Sequence, residues 1–186
     1  YVNPDHERRV AALLAERLPG VAVSLSSDLM PEMREYERAT STTANAFVLP
    51  LIDGYLDRLE RSLREHGIGA PLFVMLSSGG ISTTEVVRRF PVRICESGPA
   101  AGAITAARLG NLAGADNILS FDMGGTTAKS SLIHDGTPLV TTEFEVARMY
   151  RFKKGSGLPI HVPVVDLIEI GAGGGSVAHV DALDLL

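Results

Sequence analysis

Asp122-Met123-Gly124-Gly125-Thr126-Thr127 brings a carboxylate, two adjacent glycines and two hydroxyls together in one short stretch. Glycine lets backbone N–H groups come close to a ligand and tolerates positive φ. Successive N–H groups pointing inward form an anion-binding concavity, to which threonine hydroxyls can add donors. A lone carboxylate beside it suits Mg²⁺, which keeps several waters and takes one or two carboxylates alongside substrate phosphates. The chemistry is that of a phosphate-and-magnesium loop, with Asp122 at the metal and Gly124, Gly125, Thr126 and Thr127 at the phosphates. An ordinary hairpin with a Gly-Gly turn uses the same residue types.

Other groups could do chemistry. Ser77-Ser78-Gly79-Gly80 follows an apolar strand pattern, where ligands of open α/β sheets sit, and equally reads as a structural turn. Ser97-Gly98-Pro99-Ala100-Ala101-Gly102 opens a helix whose free N–H groups would suit an anion. Gly171-Ala172-Gly173-Gly174-Gly175-Ser176 lacks the dinucleotide fingerprint, since no helix pattern follows, and reads either as a ligand-approach loop or as a packed turn. His161, Asp166, His179 and Asp181 match no standard zinc spacing. Lys153 and Lys154 read as a solvated face, with phosphate binding the livelier alternative. Cys95 reads as a buried core thiol, because nothing cationic in the sequence nearby would lower its pKa.

The elements that must position these groups alternate. Ile118–Phe121 and Ser130–Ile133 read as strands flanking the glycine turn, with Asp122 at the tip. Asn3 and Pro4 open a helix with Val10, Leu13, Leu14 and Leu18 on one stripe, stopped at Pro19-Gly20. Val21–Ser26 reads as a short strand, and 27–43 as an irregular charged segment whose hydroxyl run Thr40-Ser41-Thr42-Thr43 caps the next helix, with a substrate-facing loop as the alternative. That helix carries Ala44, Phe47, Val48, Leu51, Ile52, Tyr55, Leu56, Leu59 and Leu63, with a kink near Pro50. Leu72–Leu76 is expected as a buried parallel strand, Ser82-Thr83-Thr84-Glu85 as a capping box, and Val92–Cys95 as another strand. Pro99 then starts a helix reaching Gly110, whose small residues allow close packing on the sheet. Residues 143–157 read as an exposed loop and Val162–Ile170 as a strand. The fold class is α/β with mixed sheets and flanking helices.

Composition bounds the rest. The 186 residues carry 45% hydrophobic and 21% charged residues with a net charge of −5, an ordinary globular balance. An acidic chain has no electrostatic reason to bind nucleic acid or an anionic membrane. No apolar run is long enough to span a bilayer, and one cysteine gives no internal disulfide, so a reducing, cytoplasmic setting is expected. The missing initiator Met and the Asp184-Leu185-Leu186 end suggest an excised piece of something longer.

The order of motifs resembles the ATPase core shared by actin, sugar kinases and heat-shock chaperones, a two-lobe, ribonuclease H-like fold. Glu96–Gly102 resembles its connecting helix and Ile118–Ile133 its second phosphate motif. A nearer resemblance is to the hydantoinase A / 5-oxoprolinase family, with its N-methylhydantoinases and acetone carboxylase subunit. Its carriers are Arg34-Glu35-Tyr36-Glu37-Arg38, Ser41-Thr42-Thr43-Ala44-Asn45-Ala46, Ser78-Gly79-Gly80, Ser97–Gly102, Phe121–Thr126 and Gly171–Ser176, in the family's order over nearly the whole chain.

The resemblance implies ATP- and Mg²⁺-dependent opening of a cyclic amide such as a hydantoin or 5-oxoproline, the amide oxygen being phosphorylated so that its carbon opens to water. It implies Asp122 as catalytic and metal residue, Asp166 as a second metal candidate, and Gly79, Gly80, Ser97, Gly98, Gly102, Gly124, Gly125, Thr126, Thr127 and Lys129 toward ATP. A hydantoinase B-like subunit or domain would be the partner. Residues 1–113 would be the end of the first lobe with the connecting helix, and 114–186 the start of the second. The first lobe's own phosphate motif is absent from this sequence. Two positions depart from the family pattern. Lys129 stands where an Asp is common, which weakens metal binding there but offers phosphate a point charge. Ile168 stands where a His often follows Asp166. An ATP-dependent carboxylase subunit of the same family, or a non-catalytic ATPase-like module, remain the alternatives.

Overall fold

The computed structural model describes residues 2–150, 153–177 and 179–180. Helices α1 (Asp5–Arg17), α2 (Ser26–Leu29) and α3 (Glu35–Glu65) come first. The hairpin β1 (Phe73–Met75)/β2 (Ile81–Thr83) follows, then α4 (Thr84–Arg89), a 3₁₀ turn (Pro91–Ile94) and α5 (Ser97–Ala113). The strands β3 (Ile118–Met123), β4 (Ala128–His134), β5 (Thr137–Pro138), β6 (Val140–Thr141), β7 (Phe144–Val146), β8 (Leu158–Ile160), β9 (Val164–Val165) and β10 (Ile168–Ile170) complete the chain. Helices and sheets interleave as an α/β chain, and every strand pairing among the described residues is antiparallel. None of the described helices is long and apolar enough to cross a membrane.

The central helix α3 starts nine residues before the apolar stripe predicts, at Glu35 rather than Ala44, and runs on through Pro50. The hydroxyl run therefore lies inside it rather than capping it. The first two of these hydroxyls meet partners on a distant segment: Thr40 Oγ1 donates to the Pro159 carbonyl at 2.6 Å, and the His161 N–H donates to Ser41 Oγ at 2.8 Å. Asn45, fully buried, donates to Ser24 Oγ and the Arg89 carbonyl and accepts from the Val92 N–H at 3.2 Å. Buried polar groups persist when they are satisfied, and here they tie α3 to three other segments.

Those ties explain several departures from the expected elements. Val92 gives its N–H to Asn45, and Pro91–Ile94 coils as a 3₁₀ turn instead of extending as a strand. Val21–Leu25 forms no strand, and Ser26 begins α2. Leu72–Leu76 yields a three-residue strand paired antiparallel to Ile81–Thr83, so it is neither parallel nor fully buried, and Ser82-Thr83 belongs to that strand with no side-chain cap on α4. Segment 143–157 contains β7, which pairs with β8, and 162–170 breaks into β9 and β10. The stripe on α1 contributes no buried residue.

Two apolar clusters hold the elements. Leu29 and Val92 pack with Ile160, Val162 and Val164, and Ala100 and Ala103 of α5 pack with Val165. Both clusters mix residues from before and after position 113. The close helix–sheet packing falls on Ala100, Ala103 and Gly110, not on Gly98 or Gly102, beside which a Cβ would meet open space. At Gly110 an added Cβ would collide with the Ile118 side chain and stand 2.9 Å from the Ala115 carbonyl. Gly114, left-handed at φ 73, ends α5 three residues past the predicted stop.

Asn45→Ala leaves one buried donor, the Val92 N–H, and two part-buried acceptors, Ser24 Oγ and the Arg89 carbonyl, without their partner. Such orphans cost roughly 1–3 kcal/mol each, so urea unfolding should show a loss of several kcal/mol. A variant as stable as the parent would contradict the role given to this amide.

Candidate functional site

The glycine turn closes β3 and β4 as the flanking apolar runs predict. Asp122 pairs with Lys129 and Met123 with Ala128, and the Gly124 N–H donates to the Thr127 carbonyl at 2.9 Å. Asp122 is exposed, and its carboxylate has no hydrogen-bond or ion-pair partner among the described residues. The N–H groups of Gly125, Thr126 and Thr127 likewise find no acceptor among them. Neither Gly124 nor Gly125 takes a positive φ, so backbone strain does not call for glycine here. What marks the position is room: a Cβ on Gly125 would meet nothing within 4 Å.

Alternation along β3 puts Ile118, Ser120 and Asp122 on one face and Leu119, Phe121 and Met123 on the other. The first face meets α5, because Ile118 lies against Gly110. A strand rises about 3.3 Å per residue and a helix about 1.5 Å, so Asp122 stands roughly level with the residues near Ala101, in the first turns of α5. The ion pair of Lys129 Nζ with Glu96 Oε2 at 2.8 Å ties the other strand of the hairpin, β4, to the residue that precedes α5. Lys129 also faces Glu169 of β10 at 3.8 Å, so its charge is met by two carboxylates.

Below α5, Ser77 is a buried junction. Its N–H donates to the Arg93 carbonyl at 2.8 Å, its carbonyl accepts from Val165 at 2.7 Å, and its Oγ accepts from the Glu96 N–H at 2.9 Å. Gly79, at φ 89, packs where a Cβ would press on Ile104 and Val165, while Gly80 borders open space. Ser97 sits in the first turn of α5. The structure thus brings Asp122, Gly124–Thr127 and Lys129 to the start of α5, and holds Gly79 against that helix and β9. Sequence reading held Ser77 and Glu96 only as members of the Ser77–Gly80 turn and the Glu96–Gly102 motif; the Glu96–Lys129 ion pair and the three backbone bonds of Ser77 join distant segments and have no local signal.

The second glycine run continues from β10, whose pairing with β4 ends at Ile170–Ala128, beside the turn. The Gly174 N–H donates to the Gly124 carbonyl at 3.0 Å, and Gly173 is buried against the peptide joining Gly125 and Thr126. Of the two readings the sequence left open, this is a packed turn, and what it packs on is the candidate phosphate loop.

A cleft of about 600 Å³ opens beside the turn, lined by Thr127, Lys129, Glu96, Asp166, Arg148 and Lys154 among others. Asp166 is exposed, its N–H bonded to the Leu139 carbonyl at 2.8 Å. No three His, Cys, Asp or Glu residues gather as a metal-binding group among the described residues; Asp181 lies outside them. Cys95 is exposed rather than buried in the core. Desolvation by its surroundings, and then the charge of Glu96, push its thiol pKa up, which disfavours the thiolate. One wall of the cleft is strapped by Glu145, which accepts from the Gly155 N–H at 2.6 Å, the Gly157 N–H at 3.3 Å and Arg148 Nε at 3.1 Å. The Gly155 bond foremost, with Gly157 and Arg148, holds the Glu145 carboxyl below its usual pKa against the opposing effect of desolvation.

Comparison with known proteins fits this geometry. The family profile described as Hydantoinase/oxoprolinase matches residues 38–185. An uncharacterised protein of Methanocaldococcus jannaschii is 42% identical over 97% of the chain and 27% of its own length. The caprolactamase subunit alpha of Pseudomonas jessenii is 33% identical over 99% of the chain and 25% of its own length. The crystal structure of the ATP-dependent caprolactamase from that organism superposes with a TM-score of 0.77 at 32% identity, over 97% of this chain and 25% of that one. A nucleotide-free structure of acetone carboxylase, from work on ATP-dependent acetone carboxylation, gives 0.73 at 26% identity, over 97% and 24%. The chain spans about a quarter of the length of the curated relatives named here.

Because folding lowers the Glu145 pKa, its contribution is present above the unfolded carboxylate value and is lost as pH falls through the lower, folded one. Glu145→Gln removes the charge at every pH. Trypsin at neutral pH should then cut after Arg148, Lys153 or Lys154 several-fold faster than in the parent, and equal rates would show that the carboxylate does not hold this segment.

Proposed function

Since the chain belongs to the hydantoinase/oxoprolinase family, we propose that it is the part of an ATP-dependent cyclic-amide hydrolase that carries one phosphate-binding loop of the nucleotide cradle. The observation that carries this reading is the turn itself: three consecutive amides that meet no acceptor among the described residues, open space at Gly125, and at the adjoining strand end a carboxylate with no partner among those residues. Unengaged N–H groups fit phosphate oxygens, and one exposed carboxylate fits a largely hydrated Mg²⁺.

Bound ATP would supply a phosphoryl group to the amide oxygen. Water adding to the activated carbonyl carbon would let the ring C–N bond break with the nitrogen leaving as the amine, and a second water would release inorganic phosphate from the resulting acyl phosphate to leave the carboxylate. The residues of this chain position and neutralise, as phosphoryl transfer requires. Gly125, Thr126 and Thr127 donate N–H groups to the terminal phosphates, with the threonine hydroxyls as further donors. Asp122 orients the hydrated cation, or the attacking group, from the strand end beside them. Lys129 would reach phosphate only by leaving Glu96 and Glu169, so it serves better as a brace from the hairpin to α5. Ser97, Gly98 and Gly102 lie on the same part of α5, and the exposed faces of both glycines suit the approach of a further segment or ligand. Gly79 and Gly80 belong to a turn carried on that helix. Residues 1–113 and 114–186 are assigned to the end of one ATPase lobe and the start of the next.

The likeness to acetone carboxylase favours a second reading, in which the same cradle activates a carboxylation substrate. The higher identity and TM-score of the caprolactamase support the hydrolase. That relative is named as a subunit, which supports a partner subunit of the hydantoinase B kind.

Asp122→Asn in the intact protein should lower ATP-dependent ring opening by roughly 10²-fold or more, the scale for removing one pre-organised electrostatic group. Calorimetric titration with Mg-ATP should show binding by the intact protein and none as tight as micromolar by the 186-residue chain alone. Unchanged turnover in the Asn variant would contradict the assignment, and micromolar binding by the chain alone would contradict a shared cradle.

A further inference from the structure

The two glycine runs lie fifty residues apart in sequence and touch backbone to backbone. A Cβ on Gly173 would stand 2.5 Å from the Thr126 nitrogen and closer still to the carbonyl of Gly125. Residue 173 is therefore glycine for reasons of space, since it takes no positive φ. Its own loop is closed tightly. The Gly173 N–H donates to Ser176 Oγ at 3.0 Å, and the Ser176 N–H returns to the Gly173 carbonyl at 2.8 Å. From that closed turn the Gly174 N–H reaches the Gly124 carbonyl at 3.0 Å.

A peptide unit is planar and trans, so its C=O and N–H point in opposite directions. Once Gly174 holds the Gly124 carbonyl, the N–H of Gly125, in the same peptide plane, must point away from the second loop. That is the side left open at Gly125. The next peptide, Gly125–Thr126, is covered on one side by Gly173 and cannot rotate without striking it. We propose that the Gly171–Ser176 loop is the aiming element of the phosphate loop, with Gly173 and Gly174 as positioning residues that turn the Gly125 and Thr126 N–H groups toward the phosphates of ATP. This rests on reading 124–127 as the phosphate loop. The gain lies in pre-organisation: donors fixed before the ligand arrives need no reorientation when it binds.

The test uses the intact protein and Mg-ATP, comparing Gly173→Ala, Ser176→Ala and Ser176→Thr with the wild type and with Asp122→Asn. Gly173→Ala pushes on the 125–126 peptide and should weaken Mg-ATP binding about tenfold or more, since displacements of about 1 Å are costly at such sites. The KM for the cyclic amide should hold. Ser176→Ala removes only the acceptor for Gly173, so it answers the question if Gly173→Ala fails to fold. It should show a smaller loss, which Ser176→Thr restores while the nucleotide-free thermal midpoint is the same in both. A wild type that binds no Mg-ATP would overturn this proposal together with the phosphate-loop reading. If the wild type binds and Asp122→Asn is impaired, yet Ser176→Ala and any folded Gly173→Ala bind as the wild type does, the aiming role alone falls.

Discussion

Contact between Gly110 and Ile118 sets the geometry of the site. A side chain at 110 would hold β3 away from α5; its absence lets the strand lie on the helix. From that contact upward, strand rise and helix rise fix where Asp122 and the glycine turn end up. The Lys129–Glu96 ion pair is the far end of the same apposition. A half-buried pair of this kind adds little net stability, because desolvation offsets much of the attraction, but it does fix register between hairpin and helix. The packing supplies the energy and the ion pair the alignment.

The polar junctions carry a similar logic. Ser77, Asn45 and Ser41 are fully buried side chains whose partners are mostly backbone groups of irregular segments. Short strands and a 3₁₀ turn leave many N–H and C=O groups outside any ladder, and these must be met somewhere. Serine and asparagine meet them from within α3 and at the end of β1, so that short, irregular elements can support a defined site. Both apolar clusters also join residues before and after position 113.

How far the sequence alone reached follows from the same physics. The hairpin was legible because apolar runs on both sides of a Gly-Gly pair admit few other conformations, and the stripe from Ala44 to Leu63 fixed most of α3. The start of α3 was hidden because Thr40–Thr43 look like cap residues, and only packing reveals the partners of Thr40 on β8 and of Ser41 at His161. Pro91–Ile94 has strand-like composition, but Asn45 takes the N–H that a ladder would need. The reason for glycine at 173 lies wholly in a contact with the distant turn at Gly125 and Thr126, and no local pattern encodes it. For Lys129, sequence offered a cation where a carboxylate was expected; only the coordinates show that two carboxylates already hold it.

The amides of residues 125–127, which meet no acceptor among the described residues, are the donors to the phosphate oxygens of ATP in this account. A crystal structure of the intact protein with Mg²⁺ and a non-hydrolysable ATP analogue tests it most directly. Phosphate oxygens within about 3 Å of the Gly125 and Thr126 nitrogens, with Asp122 facing the cation or its waters, are the predicted result. Nucleotide bound elsewhere, with those N–H groups turned to solvent, would contradict it.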